Sequence, residues 1–134
     1  MRFTLATLLA LSTSTLASFC YTTGAIGRTS DIVSSHKQFC LMAGSKPIPG
    51  YGEYSFAYQI LLTDGQLRPV KIQLKNKTNK PWYVLKTPCE ADIKWLLANC
   101  NHNGGTQGGV TDLDMGTLTI DVQDWAKPTR PPGA

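Results

Sequence analysis

A chain of 134 residues, 42% of them hydrophobic and 16% charged, is long enough for one domain with a single modest core. Thirteen Lys and Arg against nine Asp and Glu give a formal charge of +4, an excess too mild to mark a nucleic-acid binder. No segment approaches the roughly twenty apolar residues of a spanning helix, which excludes stable membrane insertion by that route.

In chain order the N-terminus comes first. Met1-Arg2 is a positive start, residues 3–11 are apolar apart from Thr4 and Thr7, and small residues lead to Thr15-Leu16-Ala17. This three-part layout predicts a signal peptide over 1–17, cleaved after Ala17, and so a secreted, extracellular protein. Residues 18–127 then form a single disulfide-stapled α/β domain, and 128–134, with three prolines in seven residues, form a Pro-rich extended tail. Cys20, Cys40, Cys89 and Cys100 all survive cleavage, and an even count in an oxidising compartment predicts two disulfides. A zinc site is disfavoured, because there is no C-x-x-C pair and the only histidines are His36 and His102.

The first helix is expected from Thr29 or Ser30 to Ala43, stopped by Gly44. Ile32, Val33, Phe39, Cys40 and Ala43 make its inward face, with His36 on the same side as a half-buried structural histidine. A hairpin follows. Tyr54, Phe56, Tyr58, Ile60 and Leu62 alternate with small or polar neighbours, as do Val70, Ile72 and Leu74. A two-residue turn at Asp64-Gly65 would set Tyr58 against Lys71. A three-residue loop, Thr63-Asp64-Gly65 with Gly65 left-handed, instead pairs Tyr58 with Val70, Phe56 with Ile72 and Tyr54 with Leu74. Asn76-Lys77-Thr78 is an N-glycosylation sequon, placed on an exposed loop at Asn76. Residues 82–86 read as a short extended piece.

The second helix is expected over 88–100, with Thr87 as N-cap, Pro88 in the first turn and Glu90 completing a T-x-x-E capping box. Cys89, Ile93, Leu96, Leu97 and Cys100 form one apolar stripe. Trp95 points away from it, flanked by Ala91 and Ala98. Either the tail with Trp125 covers that ring or a second copy does, and the extended tail favours a homodimer through Trp95. Beyond Gly104-Gly105 lies a turn-rich loop in which Asp112-x-Asp114 only superficially resembles a calcium site. The last strand runs over 117–123 with Leu118, Ile120 and Val122 inward.

The order helix, strand, strand, helix, strand predicts an α+β fold, a small α/β sandwich with a mostly antiparallel sheet of three to five strands, two helices and two disulfides. Its outer face carries Ser55, Gln59, Lys71, Gln73, Lys75, Thr117, Thr119 and Asp121. Five lysines (71, 75, 77, 80 and 86) fall between Asp64 and Glu90 with no acid among them. Asp112, Asp114, Asp121 and Asp124 fall between Lys94 and Lys127 with no base. Two solvated faces are the simplest reading of that separation, ahead of ligand steering or self-association.

No catalytic constellation emerges. The cysteines are committed to disulfides, no G-x-S-x-G elbow occurs, and the two histidines lack the Glu and Arg partners of a ribonuclease-type pair. The chain is therefore read as a non-enzyme that needs no metal or cofactor. The positive signal is a mixture of aromatic and polar side chains in connections: Tyr51, Trp82, Tyr83, Asn101, His102 and Asp112. Flat rings suit the C–H faces of sugars, and amide, imidazole and carboxylate groups suit their hydroxyls. Core closure competes with sugar stacking for each ring.

The helix Cys89-Glu-Ala-Asp-Ile-Lys-Trp-Leu-Leu-Ala-Asn-Cys100 runs into Gly104-Gly105 and the strand Gly116-Thr-Leu-Thr-Ile-Asp-Val, after an early helix bearing Cys40. This pattern resembles small secreted fungal proteins of the Y-three-like mushroom lectin family. The resemblance implies an α/β sandwich that binds glycans without metal or catalysis. The order of elements and the disulfides are also similar to those of small α/β-sandwich killer toxins of fungi, which would act on a membrane or receptor. The lysine-rich stretch suits that alternative, and the lack of an exposed amphipathic basic helix counts against it.

Disulfide pairing follows from geometry. A helix from Cys89 to Cys100 holds their Cα atoms about 16 Å apart, against the roughly 7 Å a disulfide tolerates. If the helices lie antiparallel on one sheet face, Cys20–Cys100 and Cys40–Cys89 form. Cys20–Cys89 with Cys40–Cys100 is the alternative.

Overall fold

The computed structural model describes residues 18–123; the signal peptide expected over 1–17, together with Asp124, Trp125 and the Pro-rich tail, lies outside them. Nine elements follow in order: β1 Ser18–Cys20, β2 Gly27–Arg28, α1 Thr29–Ala43, β3 Glu53–Leu61, β4 Leu67–Asn76, α2 Lys86–Asn99, β5 Gly105–Thr106, β6 Gly108–Asp112 and β7 Gly116–Val122. Five strands form one antiparallel sheet in the order β1-β6-β7-β4-β3, and β2 pairs with β5 in a two-stranded ribbon. The fold is α+β.

The hairpin has the expected register, with Tyr58 opposite Val70, Phe56 opposite Ile72 and Tyr54 opposite Leu74. Leu62 N–H donates to the Gln66 carbonyl at 2.7 Å, closing a three-residue loop in which Gly65 has φ +88°. Inward rows from three strands, among them Val70, Ile72, Leu74, Leu118, Ile120 and Val122, join Ile32, Phe39, Ile93, Leu96 and Leu97 of the helices in one core. Both helices therefore cover the same sheet face, and the opposite face carries the polar row. Phe56 departs from the expectation. It lies on edge strand β3 beyond the cover of the helices, 53% exposed, with its ring 4.9 Å from that of Tyr58.

Helix α1 begins at Thr29 and gives way to Gly44 as expected. The Asp31 carboxylate in its first turn accepts from Leu61 N–H at 3.1 Å, which pins the helix start to the end of β3. His36 is not half-buried: it is 4% exposed and neither ring nitrogen has a hydrogen-bond partner among the described residues.

Helix α2 corrects the capping box. It starts two residues early, at Lys86, with Leu85 at the N-cap and no side-chain cap. Thr87 thus lies inside the helix, where it has no orphan N–H to receive, and Glu90 instead faces Lys86 Nζ at 3.9 Å. Pro88 still falls in the first turn, where its missing N–H costs nothing. The apolar stripe is buried as predicted, and Trp95 is 51% exposed on the opposite side.

The disulfides are Cys20–Cys100 and Cys40–Cys89, with Cα separations of 5.4 and 5.8 Å. The second joins the end of α1 to the start of α2, and the first joins edge strand β1 to the end of α2. Closing chain segments of 80 and 49 residues, each stabilises the fold by about 4 kcal/mol in the chain-entropy account.

Three further expectations are corrected. The glycine-rich stretch after α2 is no loop: β5 and β6 lie within it, and β6 is an interior strand. A Cβ at Gly108, where φ is +94°, would strike the Ile120 carbonyl oxygen, and one at Gly109 would meet Phe19 O and Cys100 Sγ. The glycines admit close neighbours. Residues 82–86 make only an isolated bridge, Trp82 with Ile48, before α2 begins. Asn76 is fully buried at the end of β4. Its Nδ2 donates to the carbonyls of Ile48, Pro49 and Lys80, and its Oδ1 accepts from the N–H and hydroxyl of Thr78. The folded chain leaves no room for a glycan on that nitrogen. The amide acts as a hub that ties two loops together.

The basic and acidic stretches meet in the sheet, where Lys71 stands directly opposite Asp121 and Lys75 opposite Thr117, which in turn pairs with Asp112.

Candidate functional site

A groove opens at the N-terminal end of α2, bounded by the connection that leads into the helix, by the helix's first turns and by a turn distant in sequence. The connection 82–85 supplies Trp82, Tyr83 and Leu85; the first turns of α2 supply Pro88, Cys89 and Asp92; the β6–β7 turn supplies Leu113, Asp114 and Met115. Leu74 and Leu118 contribute from the sheet, and the cavity is about 200 Å³. That is below the ~300–1,000 Å³ of sites for drug-sized ligands. One ring or one side chain fits.

Backbone hydrogen bonds hold each wall. Trp82 and Ile48 exchange N–H···O=C bonds at 2.9 Å in both directions, which fixes the connection before α2. Leu113 N–H donates to Gly116 O at 2.7 Å and closes the β6–β7 turn, while Lys77 N–H donates to Met115 O at 2.9 Å. The Cys40–Cys89 disulfide anchors the start of α2.

A second, open hollow of about 530 Å³ adjoins the groove, sharing Leu113, Asp114 and Met115 and adding Lys77, Thr78 and Asp112. Tyr51 N–H donates to Thr78 O at 2.9 Å, so Tyr51, 68% exposed and at φ +59°, stands beside this hollow.

The six candidate residues therefore divide. Trp82 and Tyr83 line the groove, Asp112 lines the adjoining hollow, and Tyr51 stands near it. Tyr83 is 68% exposed, whereas Trp82 is half-buried and packs against the core. Core closure is thus the main role of Trp82. Asn101 and His102 lie at the far end of α2, about 20 Å away along its axis, and do not join the others. Asn101 Oδ1 accepts from Thr29 Oγ1 at 2.7 Å, and the His102 backbone bridges to Gly105. Both help to hold the start of α1, the end of α2 and the small ribbon together.

Sequence reasoning missed Asp92 and the role of Asp114. Asp92 follows Cys89 by three residues and precedes Ile93, so it sits on the border of the apolar stripe; that flanking position was the available signal. Asp114 belongs to the Asp112-x-Asp114 pair and faces Asp92 across the groove. Burial, and secondarily the charge of Asp114, push the Asp92 carboxyl above its usual range. Neither carboxylate has a side-chain hydrogen bond or ion pair among the described residues. The site can accept hydrogen bonds at two carboxylates and offer a ring face at Tyr83. Among the described residues, no three His, Cys, Asp or Glu side chains converge as a metal-binding group.

The sequence matches no family model and no curated protein.

Proposed function

We propose that this is a secreted glycan-binding protein that seats one sugar ring in the groove at the start of α2, without catalysis. The observation that carries the reading is the exposed Tyr83 ring beside a small apolar groove with two carboxylates that are unengaged among the described residues. A pyranose presents C–H groups on its faces and hydroxyls around its rim. The Tyr83 face suits the first, and Asp92 and Asp114 accept from the second. The adjoining hollow, with Tyr51 nearby and Asp112 in its wall, gives neighbouring sugars somewhere to lie. The resemblance to the Y-three-like lectins supports the same class. So do the two disulfides, which suit an oxidising, extracellular-type environment. The toxin alternative rests on a basic stretch, and two of its five lysines, Lys71 and Lys75, stand opposite Asp121 and Thr117 across the sheet.

A glycan array separates the residues' roles. Tyr83→Ala should lose at least about tenfold in affinity, equivalent to about 1.4 kcal/mol, with its melting temperature unchanged. Trp82→Ala should instead lower stability by about 2 kcal/mol or more, because it removes a ring packed on the core. Bound glycans should be recovered with unchanged mass. An array on which native protein and Tyr83→Ala score alike defeats the assignment. We infer also that the outer side of α2 around Trp95 seats a second copy of the chain.

A further inference from the structure

The hydrogen-bonding groups of the groove are unbalanced in a way that names a ligand. Among the described residues its lining contains no Lys, Arg or His, and its two charged side chains are both carboxylates, one on α2 and one on the β6–β7 turn. A neutral sugar alternates donors and acceptors around its rim, and among the described side chains lining the groove the donors are the Tyr83 hydroxyl and the Trp82 indole N–H. The chain carries a formal charge of +4, so a doubly negative groove is no by-product of an acidic protein. Asp92 is partly buried and faces a like charge, Asp114, across the groove, and both disfavour its ionised form unless a compensating charge is present. Lys77, the nearest cation in the adjoining hollow, is absent from the groove's lining. Lys86 is paired with Glu90 on the same helix.

We propose that the groove selects protonated amino sugars, with Asp92 and Asp114 bracketing the ammonium group and the Tyr83 and Trp82 rings flanking it. An ammonium has three donors and no acceptor, which matches two acceptor-only side chains, and its charge is attracted to the faces of aromatic rings. The pairing is charge-assisted on both sides. N-acetylation removes the charge and adds bulk to a cavity of about 200 Å³. Uronic and sialic acids add a like charge and are repelled. This selectivity rests on the glycan reading above and goes further, since it commits to a ligand charge.

The experiment is calorimetric titration of the disulfide-bonded protein, just below neutral pH, with a short glucosamine oligomer and with its fully N-acetylated counterpart. The amine oligomer should bind at least about tenfold more tightly, and its affinity should fall as salt is added. Asp92→Asn with Asp114→Asn should erase the preference while leaving the circular dichroism and the Tyr83 contribution intact. Each single variant, tested alongside, should lose part of it. Equal or tighter binding of the N-acetylated oligomer overturns the inference while leaving the glycan reading standing. Amine binding that survives in the folded double variant overturns the assignment to this groove. Failure of both oligomers, together with a blank glycan array, overturns the glycan reading and the inference with it.

Discussion

Asp92 is a side chain whose surroundings oppose its charge. Burial and the facing Asp114 raise its pKa, so the folded chain holds that proton more tightly than the unfolded chain does. With more protons bound in the folded state, stability from this group is fully present below the ordinary aspartate range. It is lost as pH rises through the raised value. Asp92→Asn cannot ionise and should therefore melt above the native protein at neutral pH. The gap should be small, on the order of a degree or two once solvent screening is counted, and should close when both are melted below the ordinary aspartate range. A variant that melts lower at neutral pH would show that Asp92 supports the fold. The groups that face it bear on the sign: Asp114 from the β6–β7 turn acts against ionisation, and the lysine of the neighbouring turn, Lys86, is engaged with Glu90. His36 is a second residue whose environment was not legible. Periodicity placed it on the inward face of α1, but only the packed structure shows that its imidazole lies in the core without a hydrogen-bond partner among the described residues.

At the scale of elements, legibility followed how local the determinants were. The hairpin register could be read because the alternation of two strands and the left-handed Gly65 admit only one match. Strand β6 could not, because Gly108, Gly109, Val110 and Thr111 lack the alternation of a strand. Their glycines answer to the Ile120 and Phe19 carbonyls and a disulfide sulfur, all remote in sequence. The capping box failed for a related reason: Cys89 N–H is already satisfied by Leu85 O at 3.0 Å, so helical bonding begins before Thr87. The outer side of α2 gives the element-scale prediction. Trp95 is 51% exposed between the exposed Ala91 and Ala98, a shallow apolar strip that two copies meeting about a two-fold axis would cover. Sedimentation of the native protein should show a dimer that Trp95→Ser converts to a monomer. A monomer in both rules out this surface.

For the whole molecule, one architectural choice decides most of the rest. Because both helices pack on the same sheet face, α1 ends where α2 begins, and Cys40 meets Cys89 while the far end of α2 reaches β1 through Cys100. The pairing was legible for that reason, from antiparallel neighbours and helix length alone. The site was less so. Trp82 and Tyr83 stood out as aromatics in a connection, but Asp92 and Asp114 meet them only because α2 and the β6–β7 turn converge there. Asn101 and His102, which composition put in the same set, are carried to the other end of α2 by the helix itself. The claim that one end of this helix is the binding site and the other is structural is tested most directly by nuclear magnetic resonance. Titration of the labelled protein with the glucosamine oligomer should shift the Tyr83 and Trp82 ring signals and the backbone amides of Leu113, Asp114 and Met115, leaving Asn101 and His102 still. Shifts concentrated at Asn101 and His102, or along Gln73, Thr119 and the outer sheet face, would contradict the account.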